Sequence, residues 1–275
     1  MTITLKKTKS SEKSLETLLN NKFSNKIIPW IVPFTVLLLW EISSKTGLLS
    51  SRILPAPSSV VFTAFKLAST GELFQHMGIS AARAISGFIV GGGIGFVLGL
   101  VTGFSRIGEQ LLDSSLQMLR TIPNLALIPL VILWFGIGDQ ARLFLVSIGV
   151  FFPIYLNTYH GIRSVDHELI EMGRVYGLKT SQLMWQIVFP GALSSILIGV
   201  RFSLGIMWLS LIVAEQIAAD SGIGYMAMNA REFMQTDVVV LSIVIYALLG
   251  KLANSIAKAL ENKFLSWNPN YTSAR

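Results

Sequence analysis

Six stretches of the chain are apolar for long enough to be read as membrane-crossing helices, at about 27–46, 84–104, 121–137, 141–161, 192–217 and 237–257. About 20 mostly apolar residues are needed to span the hydrocarbon core as a helix. The third stretch is interrupted by Pro123 and Pro129, and the fifth carries Arg201. An even number of crossings places both termini on one side. Between the first two, residues 48–83 read as a long outer loop that opens Leu54-Pro55-Ala56-Pro57, where proline geometry blocks a helix. Ser58 or Ser59 would then cap an amphipathic stretch with Val60, Val61, Phe65 and Leu67 on its apolar side, predicted to lie in the membrane interface. No repeat of fixed period is visible, so an inverted-repeat secondary transporter gains no support. The predicted fold class is all-α, a polytopic membrane helical bundle of about six transmembrane helices.

Composition agrees with that pattern. Of 275 residues, 52% are apolar and only 13% are charged, against about 25% charged in soluble domains. Disorder is excluded by the hydrophobicity, and too little charge is present to cover a soluble enzyme. The absence of cysteine rules out disulfides, thiolate catalysis, zinc–thiolate sites and iron–sulfur clusters.

The formal net charge is +7, which fits either a nucleic-acid surface or a membrane protein with positive cytoplasmic loops. Position decides. With the N-terminus inside, the inner segments hold Lys6, Lys7, Lys9, Lys13, Lys22 and Lys26, then Arg106 and Arg120, then Arg163, Arg174 and Lys179, and finally Lys251, Lys258, Lys263 and Arg275. The outer segments hold only Lys45, Arg52, Lys66, Arg83, Arg142 and Arg231. The asymmetry predicts cytoplasmic termini and accounts for the charge with no nucleic-acid partner; no helix-turn-helix, zinc-finger or RNA-binding signature is present. A basic tail before an apolar run has the look of a signal peptide. Glu12, Glu16 and the lack of a small-residue cleavage site favour an uncleaved first span instead. The organisation read from this is a cytoplasmic tail over 1–26, a first span and outer loop with its interfacial helix over 27–83, a core over 84–260, and a cytoplasmic tail over 261–275.

Two local patterns carry physics. Gly87, Gly91, Gly95, Gly99 and Gly103 recur every four residues, so they line one face of the second span. Such a face lets another helix backbone approach closely, either as static packing or as a surface that slides in a transport cycle. The inner loop 166–190 is the second. Residues 166–176 carry helical spacing in Leu169, Ile170, Gly173 and Tyr176, Gly177 would end that helix, a second short helix would run from Ser181 toward Ile187, and Pro190 would bend the chain into the fifth span. A helix–glycine–helix elbow on the cytoplasmic face reads either as a docking element or as an amphipathic connector.

Glu171-Met172-Gly173, three residues, Gly177, nine residues, then Ile187-Val188-Phe189-Pro190 resembles the signature of ABC importer permeases: Glu-Ala-Ala, three residues, Gly, nine residues, Ile-x-Leu-Pro. Met172, Gly173 and Phe189 are the departures. The resemblance extends from Arg52 to Pro269 and is closest to permeases of aliphatic sulfonate importers. Leu125-Ala-Leu-Ile-Pro-Leu-Val-Ile-Leu-Trp-Phe-Gly136, Ser221-Gly-Ile-Gly-Tyr225 and Met228-Asn-Ala-Arg-Glu-Phe233 carry it. Permeases for taurine, nitrate and bicarbonate share the general pattern. The resemblance implies a permease core with this loop as its coupling helix, working as a homodimer in a bacterial inner membrane. Two cytoplasmic ATPases would drive it, and a periplasmic or lipid-anchored binding protein would deliver substrate. It also assigns Glu171, Gly173 and Gly177 to the ATPase contact, with Arg174 and Tyr176 flanking. No cofactor is expected on this chain, and no enzyme activity. The Gly250-Lys251 pair lacks the glycine that a phosphate-cradling loop requires, so ATP would belong to the partner. His76, His160 and His167 show no metal-ligand spacing and read as polar loop residues.

A charge at mid-membrane costs about 2.5–3.5 kcal/mol on insertion scales. Arg201 is therefore expected either to line the pathway and attract an anion, to pair with a helix C-terminus or with an acid such as Glu215, or to snorkel to the inner surface. Glu215 and Glu41 are placed near outer helix ends, without the chain of acids a proton relay needs. Met207 and Trp208 on the fifth span, with Phe151 and Phe152 on the fourth, read either as the wall of a cavity for a short alkyl tail or as bundle core. Rival classes are an ion-gradient-driven transporter, which would need midplane ion ligands, and a membrane-embedded enzyme, which would need a nucleophile or metal set.

Overall fold

A computed structural model describes residues 24–267. Most of the two predicted tails therefore lies outside the described residues, including Lys6 to Lys22 and Arg275. The described chain is helical throughout its regular structure. In order, the helices are α1 (Ser24–Lys45), α2 (Pro57–Ser69), α3 (Glu72–Phe104), α4 (Arg106–Arg120), α5 (Ile128–Phe135), α6 (Asp139–Arg163), α7 (His167–Val175), α8 (Thr180–Leu183), α9 (Phe189–Ala218), α10 (Ile223–Glu232) and α11 (Thr236–Phe264). A tight turn at Asn124–Leu127 precedes α5, and a widened π turn at Met184–Val188 joins α8 to α9.

Four runs are long and apolar enough to cross a membrane: α3, α6, the continuous stretch Thr180–Ile217, and α11. They account for the second, fourth, fifth and sixth predicted spans. The third departs from expectation. In place of one helix over 121–137, α4 and the Asn124–Phe135 segment form a pair bent by 89°. Side-chain partners show where this pair runs. Glu109 on α4 pairs with Arg163 and accepts from the Tyr159 hydroxyl (2.5 Å), and Asp113 accepts from Tyr155 (3.1 Å). Farther on, Phe135 packs tilted against Phe144, 5.2 Å between centroids, and Val131 packs with Ala141 and Leu145. The pair therefore runs beside α6 from its Arg163 end to its Asp139 end. Its polar half lacks the apolar run of a span, and its charges find partners only in three dimensions.

The first predicted span is occupied by α1, but α1 is not among the four. Pro29 and Pro33 lie inside it, its apolar side chains are largely exposed, and it is tied at one end, where Glu41 pairs with Lys45 (2.7 Å) and accepts from Ser58 Oγ (2.7 Å). The outer loop is also shorter than expected. Ala56, not Ser58 or Ser59, precedes the first turn of α2, with Pro57 at its first position. Val60 and Thr63 of α2 are buried, and Thr63 donates to Asp237 at the start of α11 (2.5 Å). α3 begins at Glu72, so Ser80 and Arg83 are helical residues of the bundle, Ser80 buried and Arg83 partly so.

The seam between α3 and α6 is the backbone of the fold. A Cβ on Gly87 would come within 2.5 Å of Val146, and one on Gly95 within 2.5 Å of the Phe151 carbonyl. One on Gly99 would meet Thr158 at 2.7 Å, and one on Gly103 would meet Ile162 at 2.8 Å. At Gly91 the obstruction is the Ser147 backbone itself. The five-glycine face lets α6 lie against α3 at backbone distance, the arrangement by which membrane helices gain dispersion contacts that lipid cannot replace. Ser147 Oγ donates to the Gly87 carbonyl (3.2 Å) across the seam. α9 packs on the other side of α6, where Ser203 donates to the Val150 carbonyl (3.0 Å).

Candidate functional site

The elbow is assembled from short-range rules. Asp166 caps α7 by accepting from the Glu168 N–H (2.9 Å). Gly177, with φ of +79°, ends it in the left-handed conformation that favours glycine. The Leu178 N–H donates to Gly173 O (3.1 Å) and the Gly177 N–H to Arg174 O (2.9 Å), closing the last turn. Then the chain turns back through α8. Where a separate helix from Ser181 to Ile187 and a bend at Pro190 were expected, α8, the π turn and α9 form one run. The Phe189 N–H reaches Met184 O across the π turn. A widened turn of this kind absorbs a proline whose ring would clash with the carbonyl four residues back.

Elbow residues divide by direction. Gly173 faces inward, where a Cβ would sit 2.5 Å from Leu183 and 2.6 Å from Ile187. It is buried, and its lack of a side chain seats α7 on α8 and the π turn. Glu171, Arg174 and Gly177 are exposed. So is an apolar face formed by Leu169, Met172, Val175 and Tyr176, the last two 86% and 80% exposed.

At the opposite end of the bundle lies a cluster that sequence reasoning missed. The Glu215 side chain has no exposed surface. Its carboxylate accepts from Ser80 Oγ (2.8 Å), Arg83 Nη1 (3.0 Å), the Gly224 N–H (2.9 Å) and the Tyr246 hydroxyl (3.1 Å). Arg83 also donates to Asp139 (2.8 Å) and to Ser221 O (2.6 Å), and Arg142 donates to Asp139 (2.7 Å). Gly222, at φ +107°, has no room for a Cβ beside that carboxylate. One acid thus joins α3, α9, α10 and α11, and Arg83 extends the network to α6. The signal available in sequence was Arg83, an isolated cation read as a loop charge. His76 belongs here too, as a helical residue of α3 whose Nδ1 accepts from the Gly222 N–H (3.0 Å). His160 and His167 are likewise helical, in α6 and α7.

Arg201 does not pair with Glu215. Its Nε donates to Asn254 Oδ1 (2.9 Å), and its Nη1 lies 3.5 Å from Glu261 on α11. Nor do the aromatic candidates converge. Met207 and Trp208 are buried in the main core, with Trp208 edge-on to Tyr246 at 6.4 Å. Phe151 lines a cavity of 370 Å³ between α3, α5 and α6, together with Val90, Gly91 and Phe144. Phe152 packs edge-on to Phe151 at 4.9 Å. Arg201 lines a separate recess with Phe202 and Asn254.

Residues 91–266 match the family model described as "binding-protein-dependent transport system inner membrane component". The chain is similar to the aliphatic sulfonates transport permease protein SsuC of Escherichia coli, 57% identical over 91% of this chain and 95% of that protein. It is 45% identical to the protein of the same name from Bacillus subtilis, over 88% of this chain and 87% of that one. It is 29% identical to the taurine transport system permease protein TauC of Escherichia coli, over 92% and 98%.

Proposed function

From the premise that the chain belongs to the family of binding-protein-dependent transport inner membrane components, the permease subunits of ABC importers, we propose that its cargo is an aliphatic sulfonate. The cargo reading rests on identities of 57% and 45% to two permeases named for aliphatic sulfonates, against 29% to one named for taurine. Taurine, itself a short sulfonate, is the second reading. Two copies of the permease form the pathway in a bacterial inner membrane with their termini in the cytoplasm. Two cytoplasmic ATPase subunits bind the ATP, and an external binding protein loads the substrate. The chain itself takes no cofactor and catalyses no reaction. Its organisation is a cytoplasmic tail over 1–26, a first helix and outer segment over 27–83, a permease core over 84–260 and a cytoplasmic tail over 261–275.

The observation that carries the coupling role is the outward face of α7. Leu169, Met172, Val175 and Tyr176 form an apolar patch flanked by Glu171 and Arg174, raised on a helix whose inner face is seated by Gly173. Exposed apolar residues ringed by charge mark protein interfaces. Docked on the ATPase, this helix would follow its closure on ATP and pull on α9, to which it is joined through α8. The bundle would then alternate between inward and outward access.

Uptake of labelled alkanesulfonate in cells with and without the gene, competed with taurine and nitrate, tests the cargo. Loss of uptake on deletion, and no competition by nitrate in cells that carry the gene, are expected. Unchanged alkanesulfonate uptake on deletion overturns the sulfonate reading and leaves the permease class standing.

A further inference from the structure

Among the described cavities, one combines an apolar wall with two polar groups. It has a volume of 330 Å³ and lies between the break at Asn124, α6 and α9. Gly149, near the middle of the 25-residue α6, faces three of its lining residues, Asn124, Ile206 and Ser210. Two polar groups converge there. A Cβ on Gly149 would overlap the Ser210 hydroxyl and stand 3.1 Å from Asn124 Nδ2. Neither the Asn124 side chain nor the Ser210 hydroxyl has a hydrogen-bond partner among the described residues. The rest of the wall is apolar, with Leu145, Ile206, Leu209 and Val213.

We infer that this cavity is a transient binding subsite for a short-chain amphiphilic oxoanion in transit, with Asn124 and Ser210 donating to its head group. The identification of the cargo as a sulfonate rests on the function proposed above. A sulfonate head carries acceptors only, so it needs donors; Asn124 Nδ2 and Ser210 Oγ supply them. The apolar wall takes the alkyl chain, in a volume at the small end of ligand pockets. Both donors are neutral, which suits a pathway: a site along it must bind well enough to admit the ion and weakly enough to release it. Gly149 is a determinant of the site, because any side chain there would fill the space between the two donors. None of the residues proposed for the elbow lines this cavity.

The test uses the complete importer, permease with its ATPase and binding protein, in proteoliposomes. Uptake of labelled ethanesulfonate and ATP hydrolysis are measured together. The Asn124→Ala/Ser210→Ala double variant removes both donors without adding bulk. It is expected to lower uptake about tenfold, while hydrolysis stimulated by the loaded binding protein stays within about twofold of wild type. Leu209→Ala, which enlarges the wall, is expected to shift preference toward longer chains. Unchanged uptake in the double variant overturns the inference. So does a parallel fall of uptake and hydrolysis, which would place these residues in assembly or coupling. If the wild-type importer carries no alkanesulfonate, the cargo reading itself fails, and this inference falls with it.

Discussion

At one end of the bundle Glu215 is wholly enclosed, and its carboxylate accepts from two side-chain hydroxyls, a guanidinium and a backbone N–H. At the other, Val175 and Tyr176 leave most of their surface open on a nine-residue helix. The first end satisfies the Glu215 carboxylate within the chain; the second leaves apolar surface open. Burial and exposure here distinguish what the chain must hold fixed from what it presents. The enclosed end gains rigidity from a paired buried charge, an arrangement that is costly to break although its net worth over an apolar replacement is small. The open end has little to lose when altered and is suited to respond to a partner.

Substitutions at each end and between them can break this contrast. The largest stability loss is expected from Glu215→Leu, which leaves Arg83 to Asp139 and Ser221 and removes an acceptor from Ser80, Gly224 and Tyr246. A buried donor left without an acceptor costs about 1–3 kcal/mol. Thermal unfolding of detergent-purified protein should show it as a large drop in midpoint, and Glu215→Gln, which keeps an acceptor oxygen, should lose less. A loss as small as that of a surface substitution would mean that the enclosed end is not a fixed point. Gly95→Leu in the α3–α6 seam comes next. Its side chain meets the Phe151 carbonyl, and about 1–3 kcal/mol is expected for overpacking, read by the same melting experiment. Tyr176→Ala is expected to change stability by under about 0.5 kcal/mol, as for other surface substitutions, yet to reduce co-purification of the ATPase severalfold. If the ATPase stays bound at the wild-type level, the open face has another use.

Legibility in the sequence follows the range of the interactions. The five glycines of α3 could be read because a spacing of four is local, and the end of α7 because Gly177 acts on its own turn. The bent third span could not, because α4 carries Arg106, Glu109, Asp113 and Arg120 and reads as a loop. Glu109 and Asp113 are satisfied by Tyr155, Tyr159 and Arg163, residues the pattern treats as belonging elsewhere. Glu215 is the extreme case, since Ser80 stands 135 residues away. Gly173 shows the limit within a motif: its place beside Glu171 was legible, but its inward direction depends on Leu183 and Ile187 on the returning helix. The Asn124 and Ser210 pair was invisible for the same reason, since only folding brings the two to Gly149.

The unbroken run from Thr180 to Ile217 has a mechanical consequence. Its 38 residues make a rod about 57 Å long at 1.5 Å per residue. One end lies beneath the elbow and the other carries Glu215. A tilt of about 5° pivoting at the Glu215 end would swing the elbow end by about 5 Å, by the same rod length. With one end held by a four-way carboxylate clamp and the other seated on α6 and α7, the helix would act as a lever whose fulcrum and handle are both written into a single stretch of chain.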